Sequence, residues 1–145
     1  MEQKYSRPQA AAILGLDYGI RRVGCAVADD DGMIALPLST ILVTSRDQLL
    51  RDLQTRVRER RVGLLVVGLP LGLDGKDTEQ TTTTRAFARA VEQALHIPVK
   101  LFDERLTSVE AHQSGATKEN VDAMAATLLL QSYLDRQHIM EEGIV

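Results

Sequence analysis

Aromatic side chains are scarce: two Phe, three Tyr and no Trp in 145 residues. The core must therefore be aliphatic, and few rings are at hand as stacking platforms for single-stranded bases. Cys25 is the sole cysteine, which excludes an intramolecular disulfide and a cysteine-based zinc site. No run of about 18 apolar residues occurs, so no segment reads as a membrane-spanning helix. The stretch Met1–Pro8 lacks the apolar run of a secretory signal, and a cytoplasmic protein without a membrane partner is the expectation. Positive charge is not in excess either. Seventeen basic residues stand against 20 acidic ones, a net charge of −3, which argues against a protein that coats nucleic acid by charge alone. That balance is compatible with an enzyme that grips a few phosphates locally while cations neutralise an acidic centre.

What is present suggests one domain over residues 10–136, with frayed tails at 1–9 and 137–145. Ile13–Asp17 and Val23–Ala28 read as strands joined by the Gly19-Ile20-Arg21-Arg22 turn, and Met33–Val43 as a third strand, with Pro37 marking an edge or bulge. Ser45 and Gln48 form a capping box for a helix that buries Leu49, Leu50, Leu53 and Val57, with arginines crowding its C-terminal end. The continuous apolar run Val62–Gly68 is a strand buried on both faces. A Gly- and Pro-containing loop leads to a helix over Glu79–Leu95 that buries Phe87, Val91, Ala94 and Leu95, then to a short strand Pro98–Phe102. Thr107 and Glu110 suggest a third helix, and Asn120 caps a last one from Val121 to about Tyr133. A meander followed by strands separated by helices describes an α/β protein with a mixed sheet and helices on its faces.

Asp17 ends an apolar strand, where an unpaired ionised carboxylate costs several kcal/mol. A basic partner, hydrogen-bond donors or a metal ion must compensate it. In a parallel sheet, functional groups gather beyond the carboxyl ends of the strands, which brings in Glu104, just past the fifth strand. Asp122, in the first turn of the last helix, could point at the same place. Three such carboxylates repel and raise one another's pKa unless cations intervene, and hard oxygen ligands suit Mg²⁺ or Mn²⁺ better than Zn²⁺. Taken singly, Asp122 is an ordinary helix N-terminal acid and Glu104 a surface ion pair with Arg105.

Four blocks change that balance: Leu16-Asp17-Tyr18-Gly19 with Arg22–Val27; Val66-Val67-Gly68-Leu69-Pro70-Leu71 with Asp74-Gly75; Asp103-Glu104-Arg105-Leu106-Thr107-Ser108-Val109-Glu110-Ala111; and Val121–Ala126. In this order they resemble the YqgF/RuvX family, whose bacterial members are described as Holliday-junction resolvases and as nucleases maturing the 5′ end of pre-16S rRNA. The resemblance implies an RNase H-like fold, a five-stranded mixed sheet flanked by helices with the second strand antiparallel to the rest. It also implies a Mg²⁺- or Mn²⁺-dependent phosphodiesterase in which Asp17, Glu104 and Asp122 match the family's acidic triad. Two cations about 3.5–4 Å apart would serve that chemistry, with Asp17 bridging them. The expected partner is nucleic acid, either precursor rRNA or branched DNA, met by a monomer or a homodimer.

Arg21, Arg22 and Lys76 are candidate phosphate contacts, and Arg105 would orient Glu104 or touch substrate. Gly68 and the loop to Gly75 could bring backbone close to nucleic acid. Between Glu110 and Asp122 many relatives carry a longer, lysine- and glycine-rich segment; here Lys118 is its only base, and His112 stands where Arg is commoner. A non-catalytic nucleic-acid-binding module in ribosome biogenesis or transcription is the main alternative. The Asp17-Tyr18-Gly19 hairpin also resembles the phosphate region of sugar kinases, Hsp70 and actin, but that machinery closes two such domains around ATP.

Overall fold

The computed structural model describes residues 11–29, 31–107 and 118–141. β1 (Ala12–Tyr18), β2 (Arg22–Ala28) and β3 (Ala35–Leu42) form the meander; α1 (Arg46–Arg60), β4 (Val62–Leu69), α2 (Glu79–Leu95) and β5 (Val99–Asp103) follow. A 3₁₀ turn (Glu104–Leu106) and α3 (Lys118–Glu141) complete the described chain. The sheet order is β3-β2-β1-β4-β5. β2 runs antiparallel to both neighbours, whereas β1, β4 and β5 are mutually parallel, as an RNase H-like sheet requires.

Two aliphatic cores result. Leu14, Leu16, Val23, Leu65 and Val67 pack with Leu49, Leu53 and Val57 of α1 and with Phe87 and Val91 of α2. On the opposite face Ile13, Ala26, Leu64 and Val66 meet Ala126, Leu129, Leu130 and Tyr133 of α3. The alternation along β1 follows the two-residue period of a strand, so Ile13, Gly15 and Asp17 share the α3 face. Every residue of β4 is buried, as its uninterrupted apolar run requires of a strand covered on both faces. The α1 capping box of Ser45 and Gln48 is formed, and Arg61 ends the helix in the left-handed conformation. Pro37 lies in the edge strand, next to the register shift between Val23 and Cys25.

Three expectations need correction. Ala94 is exposed; in its place Thr81, Thr84 and Ala88 are buried on the inner face of α2, Thr81 donating a hydrogen bond to the Pro70 carbonyl. Asn120 is not an N-cap, because α3 is already helical at Lys118. That helix also passes Tyr133 and Gln137, where a tail was expected, and ends at Glu141. Its length has a reason in packing: Leu130, Tyr133 and Leu134 keep the buried stripe going, and Gln131 bonds the backbone of Met33 and Ala35 at the start of β3. The third helix expected after Thr107 falls outside the described residues.

α3 lies close to the sheet because glycines line its path. A Cβ at Gly15 would sit 2.8 Å from Leu130 Cβ, and one at Gly24 would collide with the Asp122 carbonyl oxygen. Backbone cannot yield as a side-chain tip can, so overpacking here costs about 1–3 kcal/mol. Gly24→Ala is therefore expected to lower unfolding free energy by roughly that amount in urea titrations, with its effect on the first turns of α3 visible by hydrogen exchange.

Candidate active site at the carboxyl ends of β1 and β5

Asp17 lies one residue from the end of β1, on the α3 face. Its partner across the antiparallel ladder is Gly24, and on the other side Leu16 pairs with Val67, which places Gly68 beside Asp17. β5 lies beyond β4, with Gly68 paired to Phe102, and Glu104 follows in the 3₁₀ turn. A Cβ at Gly68 would sit 2.8 Å from Glu104 Oε1 and 3.0 Å from its Cγ. Gly68 thus opens the gap through which Glu104 reaches across β4 toward Asp17. At Gly24 the same lack of a side chain admits the Asp122 backbone.

Asp17 and Glu104 share a side-chain hydrogen bond, which between two carboxyl groups needs a proton on one of them. The Glu104 pKa is accordingly raised from its ordinary 4.5 to about 7, first by burial, then by the Asp17 charge and hydrogen bond, and last by Asp103. The pair thus keeps a proton to a higher pH than a free carboxyl would. Asp122 sits next to this pair through Gly24, but its carboxylate is taken by Arg22, with Nε 2.6 Å from Oδ2. Among the described residues no group of three His, Cys, Asp or Glu side chains closes on one point suited to a metal ion. The three acids are therefore gathered at one end of the sheet as two in contact and one held by arginine.

Of the four candidate phosphate contacts, Arg21 is exposed on the hairpin turn and Lys76 is exposed in the β4–α2 loop. Arg22 is committed to Asp122. Arg105 does not orient Glu104, nor does it form the surface pair with it: its guanidinium grips Asp103, with Nη2 2.7 Å from Oδ2 and Nε 3.1 Å from both carboxylate oxygens. Asp103 caps the 3₁₀ turn and accepts from the Arg105 backbone N–H, which brings the Arg105 side chain onto it while Glu104 is directed at the sheet. The same guanidinium lies near Gly75 of the β4–α2 loop, where an added Cβ would sit 3.4 Å from Nη1. Asp103, unremarked in the sequence, is thus the residue that fixes Arg105. The only signal for it was an acid two positions from an arginine. Glu110, His112 and the segment shortened relative to many relatives lie outside the described residues, apart from the first turn of α3.

Comparison with known proteins gives the family. The model of the family RuvX, Holliday junction resolvase, matches residues 11–136. The chain belongs to that family. A relative from Synechocystis sp., named "Putative pre-16S rRNA nuclease", is 42% identical over 142 residues, covering 91% of this chain and 93% of its own. One of the same name from Chloroflexus aggregans is 41% identical over 131 residues, covering 85% and 92%. Among solved structures, the yeast mitochondrial Holliday junction resolvase superposes with a TM-score of 0.60 at 11% identity, covering 94% of this chain and 82% of that one. RuvC of T. thermophilus, solved with a Holliday junction substrate, gives 0.57 at 14%, covering 87% and 96%. At such identities these two structures speak for the fold alone, and it is RNase H-like. Among the described residues no helix is long and apolar enough to cross a membrane.

The raised pKa of Glu104 has a stability consequence. The folded chain holds a proton there that the unfolded chain has released above pH 4.5, so stability is full below that pH and declines as pH rises toward 7. In chelator, wild type is expected to lose about 1–2 kcal/mol relative to Glu104→Gln between pH 5 and pH 8, given the screening of a half-buried group. Denaturant titrations at both pH values check this; a constant difference would mean the carboxyls are not coupled.

Proposed function

We propose that the chain is a Mg²⁺- or Mn²⁺-dependent nuclease hydrolysing phosphodiester bonds in structured nucleic acid, with Asp17, Glu104 and Asp122 as its acidic centre. The observation that carries this reading is the Asp17–Glu104 pair: two carboxyl groups held in contact beside glycines at the carboxyl ends of the parallel strands, with the Glu104 pKa raised by burial and by the Asp17 charge. Structural stability alone gives no reason to bring them together. Family membership points to the same chemistry.

The donor set fits a hard divalent ion. Asp17 and Glu104 would hold it, with the ion taking the place of their shared proton, and Asp122 is the adjacent third corner. Such an ion, when bound, polarises the phosphate and lowers the pKa of water. The chain's own part is to position charge. Arg22 neutralises Asp122 until that carboxylate is needed, and on release becomes available to a phosphate oxygen. Arg21 and Lys76, both exposed, would hold phosphates flanking the scissile one. Arg105, fastened to Asp103, stands beside the β4–α2 loop, where it would be a further contact for the substrate.

Precursor rRNA ends and branched DNA are the two substrate classes that the relatives' names suggest. A cytoplasmic enzyme suits either. Trimming an RNA end needs one active centre, whereas resolving a two-fold junction calls for a homodimer or two monomers acting in turn. Incubation of the purified chain with labelled precursor ends and four-way junctions, with Mg²⁺ or Mn²⁺, tests the proposal. Cleavage is expected to fall by at least about a hundredfold in Asp17→Asn and to vanish in excess chelator. Undiminished cleavage in either case would remove the acidic centre from the reaction.

A further inference from the structure

A cleft of about 630 Å³ opens beside Asp122, between the β1–β2 turn and the first turns of α2. Its position joins it to the acidic centre, since Asp122 and Arg22 form one of its walls. The other walls are Tyr18, Ile20, Gln80 and Thr83. Tyr18 is held rigid by stacking on Phe87, with ring centroids 3.9 Å apart and planes 9° from parallel. Ile20 is 78% exposed at the turn, an apolar side chain with no core to serve. Thr83 uses its hydroxyl proton within the helix, on the Glu79 carbonyl, which leaves the oxygen as an acceptor.

The charge in this cleft is balanced, with Arg21 and Arg22 against Glu79 and Asp122. A groove for a run of phosphates would be basic. Apolar walls with an amide and a hydroxyl are instead suited to a neutral, flat, polar-edged group, with the arginine side at the rim for its phosphate. We propose that the cleft receives one unpaired nucleotide flanking the scissile phosphate, its base against Tyr18 and Ile20 and its edge read by Gln80 and Thr83. This rests on the nuclease reading and narrows the substrate class. A base confined in a duplex cannot enter the cleft without unpairing, whereas a single-stranded end can. Unpaired RNA or DNA next to the cut is therefore the preferred substrate, and a fully paired junction arm the poorer one.

The test uses the full chain carrying Asp17→Asn, in Mg²⁺, so that the probe survives. Fluorescence anisotropy compares a labelled single-stranded RNA of about twelve nucleotides with a blunt duplex of the same sequence. The single strand is expected to bind at least about fivefold more tightly, the scale of one stacked base. Thr83→Trp, at an exposed helical position, would fill the cleft and abolish that preference while leaving duplex affinity unchanged. Gln80→Ala is expected to weaken the single strand about threefold, and it serves should the tryptophan variant fail to fold by circular dichroism. Equal affinity for the two probes, no binding of either, or a single-strand affinity within twofold of the parent in the folded variants would overturn the proposal. These outcomes are separate from failure of the nuclease reading, which shows as absence of cleavage by the wild-type chain on every substrate.

Discussion

Two carboxyl groups in contact at the edge of a hydrophobic sheet set the terms for the rest of this molecule. Asp17 and Glu104 come from strands that are not neighbours, and β4 stands between them. Gly68 in the strand between gives their contact its room, because a Cβ there would sit 2.8 Å from Glu104 Oε1 and push the carboxyl aside. Burial and the Asp17 charge then raise the Glu104 pKa to about 7, so the pair keeps a proton well above the pH at which a free carboxyl loses it. In the proposed reading a divalent cation takes that proton's place and relieves the repulsion that the fold enforces.

The third acid is positioned by backbone. Gly24, opposite Asp17, lets the first turns of α3 descend on the sheet, and Gly15 does the same a little further along. Helix, hairpin and strand ends are thus registered against one another by close approach, and the buried stripe from Ala126 to Leu134 holds that register. Arg22, at the start of β2, reaches the carboxylate so delivered.

The strands and most element bounds were legible in the sequence because period and capping are local properties, whereas the strand order depends on pairing between distant segments and was not. The β4 run, the Ser45 box and the α2 pattern each carried their own signal. α3 was misjudged at both ends, since its start is not marked by Asn120 and its continuation depends on contacts with β3 that no local pattern reveals. The acids were legible as a set only through the family blocks; by themselves, Glu104 and Asp122 look like surface residues. Their partners were not legible. Arg105 chose Asp103 over Glu104, and Arg22 chose Asp122, because side-chain reach around a turn is decided in three dimensions. The Thr81–Thr84 run read as a minor compositional oddity. In the fold it divides by burial: Thr81 and Thr84 are buried, while exposed Thr83 lines the cleft together with Thr84.

That Asp17 and Glu104 together form the seat of a catalytic cation can be decided by anomalous diffraction from crystals soaked in Mn²⁺. The account predicts a manganese peak within bonding distance, about 2.2 Å, of oxygens from both residues. It further predicts that the peak disappears in Asp17→Asn. A peak bound elsewhere, or none at a Mn²⁺ concentration that supports cleavage, would contradict it.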